Sequence, residues 1–98
     1  MKIIFSSEFS QDLDSQYKFY HDRGNYEGNP TLGIVFVEEV HNAIDYVEAH
    51  PTAWHPITSD FLLRRIHLKK FKDHFIRYTY DSDKDILYID RLTHSAQK

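Results

Sequence analysis

Apolar residues fall along this chain in blocks whose spacing changes from strand-like to helical and back. Lys2 to Ser6 (KIIFS) is a short run of β-branched and aromatic residues and predicts a strand. Directly after it, Phe9, Leu13, Tyr17 and Tyr20 form one apolar stripe at helical spacing, with Asp12, Asp14 and Lys18 on other faces. Ser6 or Ser7 suits the start of that helix as a cap, and Gly24 suits its end. The turn-rich connection Gly24 to Pro30 leads to a second helix, with Asn29 as cap, Pro30 in the first helical position and Pro51 as the stop. Between them Phe36, Val40, Ala43, Ile44 and Val47 mark a buried face, and Glu38, Glu39, Asn42, Asp45 and Glu48 the solvent side. Val35 and Val37 give its first turn a β-like character. Two helices joined this closely pack as an antiparallel hairpin.

From Pro51 to Asp60 the pattern is that of a loop around Trp54. Three strand-like runs follow: Phe61 to Leu68, Phe75 to Tyr80, and Ile86 to Thr93, the last two separated by the polar turn Asp81 to Asp85. The order β-α-α-β-β-β predicts an α+β fold, a helical hairpin covering one face of a four-stranded, mostly antiparallel sheet. Residues 1–98 make a single domain, because a chain this short has no room for two independent cores.

Composition narrows the chemistry. Hydrophobic residues are 41% and charged residues 28%, an ordinary globular balance. The absence of cysteine excludes a disulfide framework, a thiolate metal site and a cysteine nucleophile. The longest uncharged apolar stretch, Leu32 to Val37, is far below the ~20 residues of a membrane helix, so the expectation is a cytoplasmic protein with no membrane partner. Seven histidines invite a metal, but no HExxH or similar spacing accompanies them, and neither a metal nor a cofactor is expected.

Charge is divided unevenly. Residues 1–63 carry a net −7 and residues 64–98 a net +4. The basic part centres on Arg64, Arg65, Lys69, Lys70, Lys72 and Arg77, which points to an anionic partner or an acidic protein surface. Arg64 and Arg65 are adjacent in a strand and must point to opposite faces. One is expected near a helix acid such as Glu38 or Glu48, the other in a positive patch with Lys70 and Arg77. Phe71 and Phe75, interleaved with the lysines, fit a phosphate-gripping, base-stacking surface, though strand aromatics more often pack into a core. His94, with Arg91 and Tyr88 upstream, suits acid–base work on a ribose hydroxyl or, more simply, a structural role at the sheet edge.

The run Leu68-Lys69-Lys70-Phe71-Lys72-Asp73-His74-Phe75-Ile76-Arg77-Tyr78, with its later partner Ile86 to His94, resembles the RelE/ParE superfamily of toxins from type II toxin–antitoxin systems. Leu68, Phe71, Ile76 and Tyr78 match the first half of the family pattern. Ile86, Leu92 and His94 fit the second, and Pro51 fits the end of the hairpin. Lys72-Asp73-His74 stands where many relatives carry a Phe-Pro-Tyr step, and the sequence stops at Lys98 where relatives usually continue into a short tail containing Arg, Pro and Trp. The resemblance implies a growth-inhibiting toxin, of the kind that stabilises plasmids, neutralised by a cognate antitoxin and meeting operator DNA only through it. It implies one of two targets, DNA gyrase bound by the ParE branch or messenger RNA cleaved on the ribosome by the RelE branch. The catalytic arginines of the RelE branch fall near Phe75 and Ser95, and the calculated isoelectric point is only 6.1, so the ParE branch is favoured. On the ribonuclease alternative, Arg77 and Arg91 would stabilise charge, Lys70 would position phosphate and His94 would move the proton. A third alternative is an inactive homologue that only binds its partner. Arg64, Arg65, Lys69, Lys70 and Lys72 are the binding candidates.

Overall fold

A computed structural model of the chain describes residues 1–53 and 63–95. The elements are β1 (Lys2–Phe5), α1 (Ser7–Tyr26), α2 (Leu32–Ala49), β2 (Leu63–His67), β3 (His74–Asp81) and β4 (Ile86–His94). The sheet has the order β1-β4-β3-β2, with β1 parallel to β4 and the other two pairings antiparallel. This is the expected α+β architecture. The loop around Trp54 and the predicted strand start at Phe61 and Leu62 lie outside the described residues. Among the described residues no helix is long and apolar enough to cross a membrane.

Ser6 caps α1. Its Oγ accepts the Phe9 N–H at 2.9 Å and donates to the carbonyl of Asp90 on β4. Glu8 in the first turn adds a charge that suits the positive end of the helix. The far end differs from the expectation. Gly24 does not terminate α1 but lies buried inside it, and the helix continues to Tyr26 with Glu27 as its C-cap. Gly24 is where the connection folds back: a Cβ there would sit 2.3 Å from the Asn29 carbonyl oxygen. The Asn29 N–H donates to the Gly24 carbonyl at 2.7 Å. Gly28, at φ +77°, makes the left-handed step that reverses the chain. Asn29 is thereby committed to α1, so it does not cap α2 and Pro30 is not its first residue. The cap position is Thr31, and α2 starts at Leu32 with no side-chain cap.

α2 buries Phe36, Val40, Ala43, Ile44 and Val47, as its pattern predicts, together with Glu39, which the pattern assigns to solvent. Glu39 is only 8% exposed, and Lys70 Nζ stands 3.9 Å from its carboxylate. The covered face of the sheet contributes Ile66, Leu68, Ile76, Tyr78, Leu87, Ile89 and Leu92 to the same core. The pairing of β3 with β4 shifts between Arg77 and Tyr78: Tyr78 opposes Ile89 while Arg77 opposes Arg91, leaving Asp90 as the extra residue of a β-bulge. The bulge lets Ile89 and Leu92, three apart in sequence, both face the helices.

Candidate functional site

The register fixes which basic residues meet. Arg65 lies directly opposite Arg77 on β3, and Arg77 opposite Arg91 on β4. Three arginines therefore form a row across three strands, with Arg65 and Arg77 on the face away from the helices. Like charges directly opposite in a sheet repel, and each member of the row is managed differently. The Arg65 guanidinium carbon sits 5.5 Å from the centroid of the Phe75 ring. Arg77 binds Asp90, the bulged residue, at 2.8 Å. Arg91 reaches around the edge of β4 to Asp12 of α1, in a two-pronged contact at 2.8 and 3.0 Å. That contact raises the Arg91 pKa above its ordinary value, chiefly through the hydrogen bond to Asp12.

Asp12 has a second task. Its Oδ2 also accepts the Leu92 backbone N–H at 3.1 Å, while Gln16, one turn later, donates Nε2–H to the Leu92 carbonyl at 2.8 Å. A cleft of about 390 Å³ opens here, lined among others by Asp12, Gln16, Arg77, Arg91, Leu92 and Thr93.

The lysines lie elsewhere. Lys69, Lys70 and Lys72 occupy the turn between β2 and β3, where His67 Nδ1–H donates to the Lys72 carbonyl at 3.1 Å. Lys70 and Lys72 border a second cleft of about 360 Å³ beside Tyr20, Phe71 and His74. Behind it Tyr20, Phe36, Phe71 and His74 form an aromatic cluster with centroid separations of 4.7–6.5 Å. His74 Nε2 is 2.8 Å from the Tyr20 hydroxyl. Burial, reinforced by the neighbouring His94 and opposed by Asp73, lowers the His74 pKa to about 4, so the ring is neutral near pH 7. His94 stands edge-on to His74 at 4.8 Å. Arg64 belongs to the helix-facing side, opposite Tyr78, whose hydroxyl burial pushes up to about 12 while Arg64 pulls it down.

The candidates thus separate into three places. Arg65, Arg77 and Arg91 come together in the row, Lys69, Lys70 and Lys72 share the β2–β3 turn, and Arg64 and His94 lie on the helix-facing side. Phe71 joins the core cluster, whereas Phe75 supports Arg65 on the opposite face. Sequence reading misses Asp12, Gln16 and Asp90. The three-residue step from Ile89 to Leu92, where strict alternation requires two, is the signal that betrays the bulge and hence Asp90. Asp12 and Gln16 carry no such mark, since their partners are 76 to 80 residues away.

Among solved structures the fold recurs in a chain of the chromosomal ParDE toxin–antitoxin system of Pseudomonas aeruginosa, with a TM-score of 0.73 and 13% identity over 96% of this chain and 95% of that one. A conserved hypothetical protein from Helicobacter pylori matches at TM-score 0.57 and 21% identity, covering 99% of this chain and 97% of its own. A YoeB/ParE toxin from Agrobacterium tumefaciens matches at 0.56 and 15%, over 96% and 98%. These likenesses establish the fold. No curated protein gives a significant sequence match. The family of ParE toxins of the type II toxin–antitoxin system parDE matches residues 3–98, nearly the whole sequence. With that match spanning both helices, all four strands and the arginine row, the chain belongs to the ParE toxin family of type II toxin–antitoxin systems.

Proposed function

We propose that this ParE-family chain arrests growth by binding DNA gyrase and that a cognate antitoxin, its partner in the module, holds it in check. The observation that carries the choice of binding over RNA cleavage is the state of Arg77 and Arg91. Each already holds a carboxylate of the chain, Asp90 and Asp12, at 2.8 Å. A general acid–base group must come within hydrogen-bond reach of the reacting proton. The candidate for that role, His94, stands edge-on to His74 among the helix-facing residues, while Arg77 belongs to the other face. A surface of paired charges suits recognition of a protein, where complementary charges set register and partner choice. The relation to the ParDE system of Pseudomonas aeruginosa supports an antitoxin as partner. The reading carries with it a cytoplasmic site of action.

The test is induction of the chain alone in a bacterial host, with pulse-labelled DNA and protein synthesis followed separately, beside a supercoiling assay with purified gyrase. The expected result is an early fall in DNA synthesis and a block of supercoiling, both relieved by co-expressed antitoxin. An early fall in protein synthesis with normal supercoiling would overturn the reading in favour of a ribonuclease, and no arrest at all would overturn it in favour of an inactive homologue.

A further inference from the structure

The cleft of about 360 Å³ beside Tyr20 lies between the β2–β3 turn and the end of α1, and its lining includes none of the three arginines of the row. Both of its walls are tied down. In the turn, the Leu68 N–H donates to the His74 carbonyl at 3.0 Å and the His74 N–H to the Phe71 carbonyl at 2.9 Å. The Ser95 N–H donates to the Asp73 carbonyl at 2.7 Å, which fastens the same turn to the end of β4. On the opposite wall Arg23 and Glu27 are paired at 3.0 Å, and Asn29 is bonded back to Gly24. A cleft held in this way loses little freedom when it fills.

Three of its groups have unused capacity. Phe71 is met by Tyr20, Phe36 and His74 at 63–86°, so none of these rings lies parallel to it, and a planar ring entering the cleft can. Tyr20 supplies a donor. His74 is 4% exposed and neutral near pH 7, and its Nδ1 is buried without a hydrogen-bond partner among the described residues. A buried N–H with no acceptor is a costlier orphan than a bare lone pair, which assigns the ring proton to Nε2. Nε2–H then donates to the Tyr20 oxygen, and the Tyr20 O–H is left without an acceptor among the described residues. Burial raises the Tyr20 pKa, with Arg23 opposing and Asp73 assisting, so the hydroxyl keeps that proton. Lys72 supplies charge. Arg23 is matched by Glu27 and Lys70 leans 3.9 Å towards Glu39, whereas Lys72 has no carboxylate paired with it among the described residues.

We propose that this cleft binds a nucleoside monophosphate, with the base on Phe71, a base acceptor on the Tyr20 hydroxyl, the phosphate on Lys72 and the sugar hydroxyls towards Asp73. Each part of the ligand answers one group of the cleft. A heterocyclic base combines a flat apolar face with acceptors on its edge, as Phe71 and Tyr20 together require. A lysine binds phosphate as a point charge, and Lys70 stands next to Lys72 on the same rim. Asp73 accepts hydroxyl donors and repels a second anion. Glu27 on the opposite wall does the same, so one phosphate fits the rim and a run of phosphates meets carboxylates on both sides. A free nucleotide is therefore favoured over a nucleic-acid strand. The inference does not rest on gyrase as target, and its probe is a small molecule, so either reading can fail alone.

The experiment is amide-shift titration of the nitrogen-15-labelled full chain with adenosine monophosphate, and in parallel with adenosine, ribose phosphate, phenyl phosphate and an octathymidylate. Saturable shifts centred on Phe71, Lys72 and Asp73 are expected from the nucleotide, with every other probe weaker. Lys72→Gln, an exposed change that leaves the fold alone, should weaken the nucleotide roughly tenfold. Tyr20→Phe keeps the ring and removes the donor, so it should cost the nucleotide roughly fivefold and leave phenyl phosphate unchanged. Lys84→Gln in the distant β3–β4 turn should bind like the native chain. Absence of saturable shifts at millimolar nucleotide, shifts centred elsewhere, equal binding of ribose phosphate or adenosine, or tighter binding of the octathymidylate would each overturn the proposal.

Discussion

On the face of the sheet beneath the helices, Ile76, Tyr78, Leu87, Ile89 and Leu92 are each no more than 1% exposed. On the other face Arg65, Phe75, Arg77, Thr79 and Tyr88 keep contact with solvent. The two sets alternate along the same strands, so neighbours in sequence answer to different demands. Burial of the first set provides the driving force for folding. The second returns little stability: its ion pairs are partly exposed and its arginines repel across strands. One face holds the fold together, and the other contributes little to that.

The sharpest way to break that comparison is to truncate adjacent residues of β3. Ile76→Ala should cost about 2–5 kcal/mol in urea denaturation, because it empties a fully enclosed site. Arg77→Ala, one residue along, should cost less than about 1 kcal/mol. Equal losses would mean that the arginine face is structural too.

A second effect belongs to the covered face alone. The folded state holds the His74 pKa near 4, below its ordinary 6.5. The unfolded chain therefore takes up a proton first as pH falls, and the stability tied to this group is complete above pH 6.5 and is lost progressively towards pH 4. The full loss is about 3 kcal/mol at most. Urea midpoints across this interval should decline steeply in the native chain and more gently in His74→Phe; an unchanged slope would remove His74 as the cause.

The smallest effect sharpens the boundary between the faces, at the β4 edge. Asp12→Ala leaves the Leu92 N–H without its acceptor and should cost about 1–2 kcal/mol. Arg91→Ala leaves that bond in place and removes only a partly exposed ion pair, so it should cost less than about 1 kcal/mol. Equal costs in the same denaturation assay would show that the ion pair, and not the backbone cover, matters there.

Local pattern was enough to read every element of the fold, because the apolar stripe from Phe9 to Tyr20 and the alternation from Phe75 to Tyr80 are periodic over several turns or pleats. It failed where a residue serves a tertiary contact. Gly24 reads as a helix end, yet its missing side chain makes room for Asn29, and that contact displaces the start of α2. Glu39 reads as solvent-facing because its neighbours Glu38 and Asp45 are. The basic residues were legible as a cluster but not as a row, since opposing Arg65, Arg77 and Arg91 requires the strand register and the bulge. Asp12 and Gln16 had no signal at all, being joined to β4 only by the packing of α1 across it.

The parallel pairing of β1 with β4 makes the first strand of the chain wait for the last. Ser6, which starts α1, is also tied to Asp90, 84 residues downstream. A contact of that sequence separation cannot form while the final strand is still within the ribosome. During synthesis β1 has no neighbour, and the β4 edge that Asp12 and Gln16 later cover does not yet exist. The last step of assembly is thus also the step that completes the arginine row, by setting Arg91 opposite Arg77.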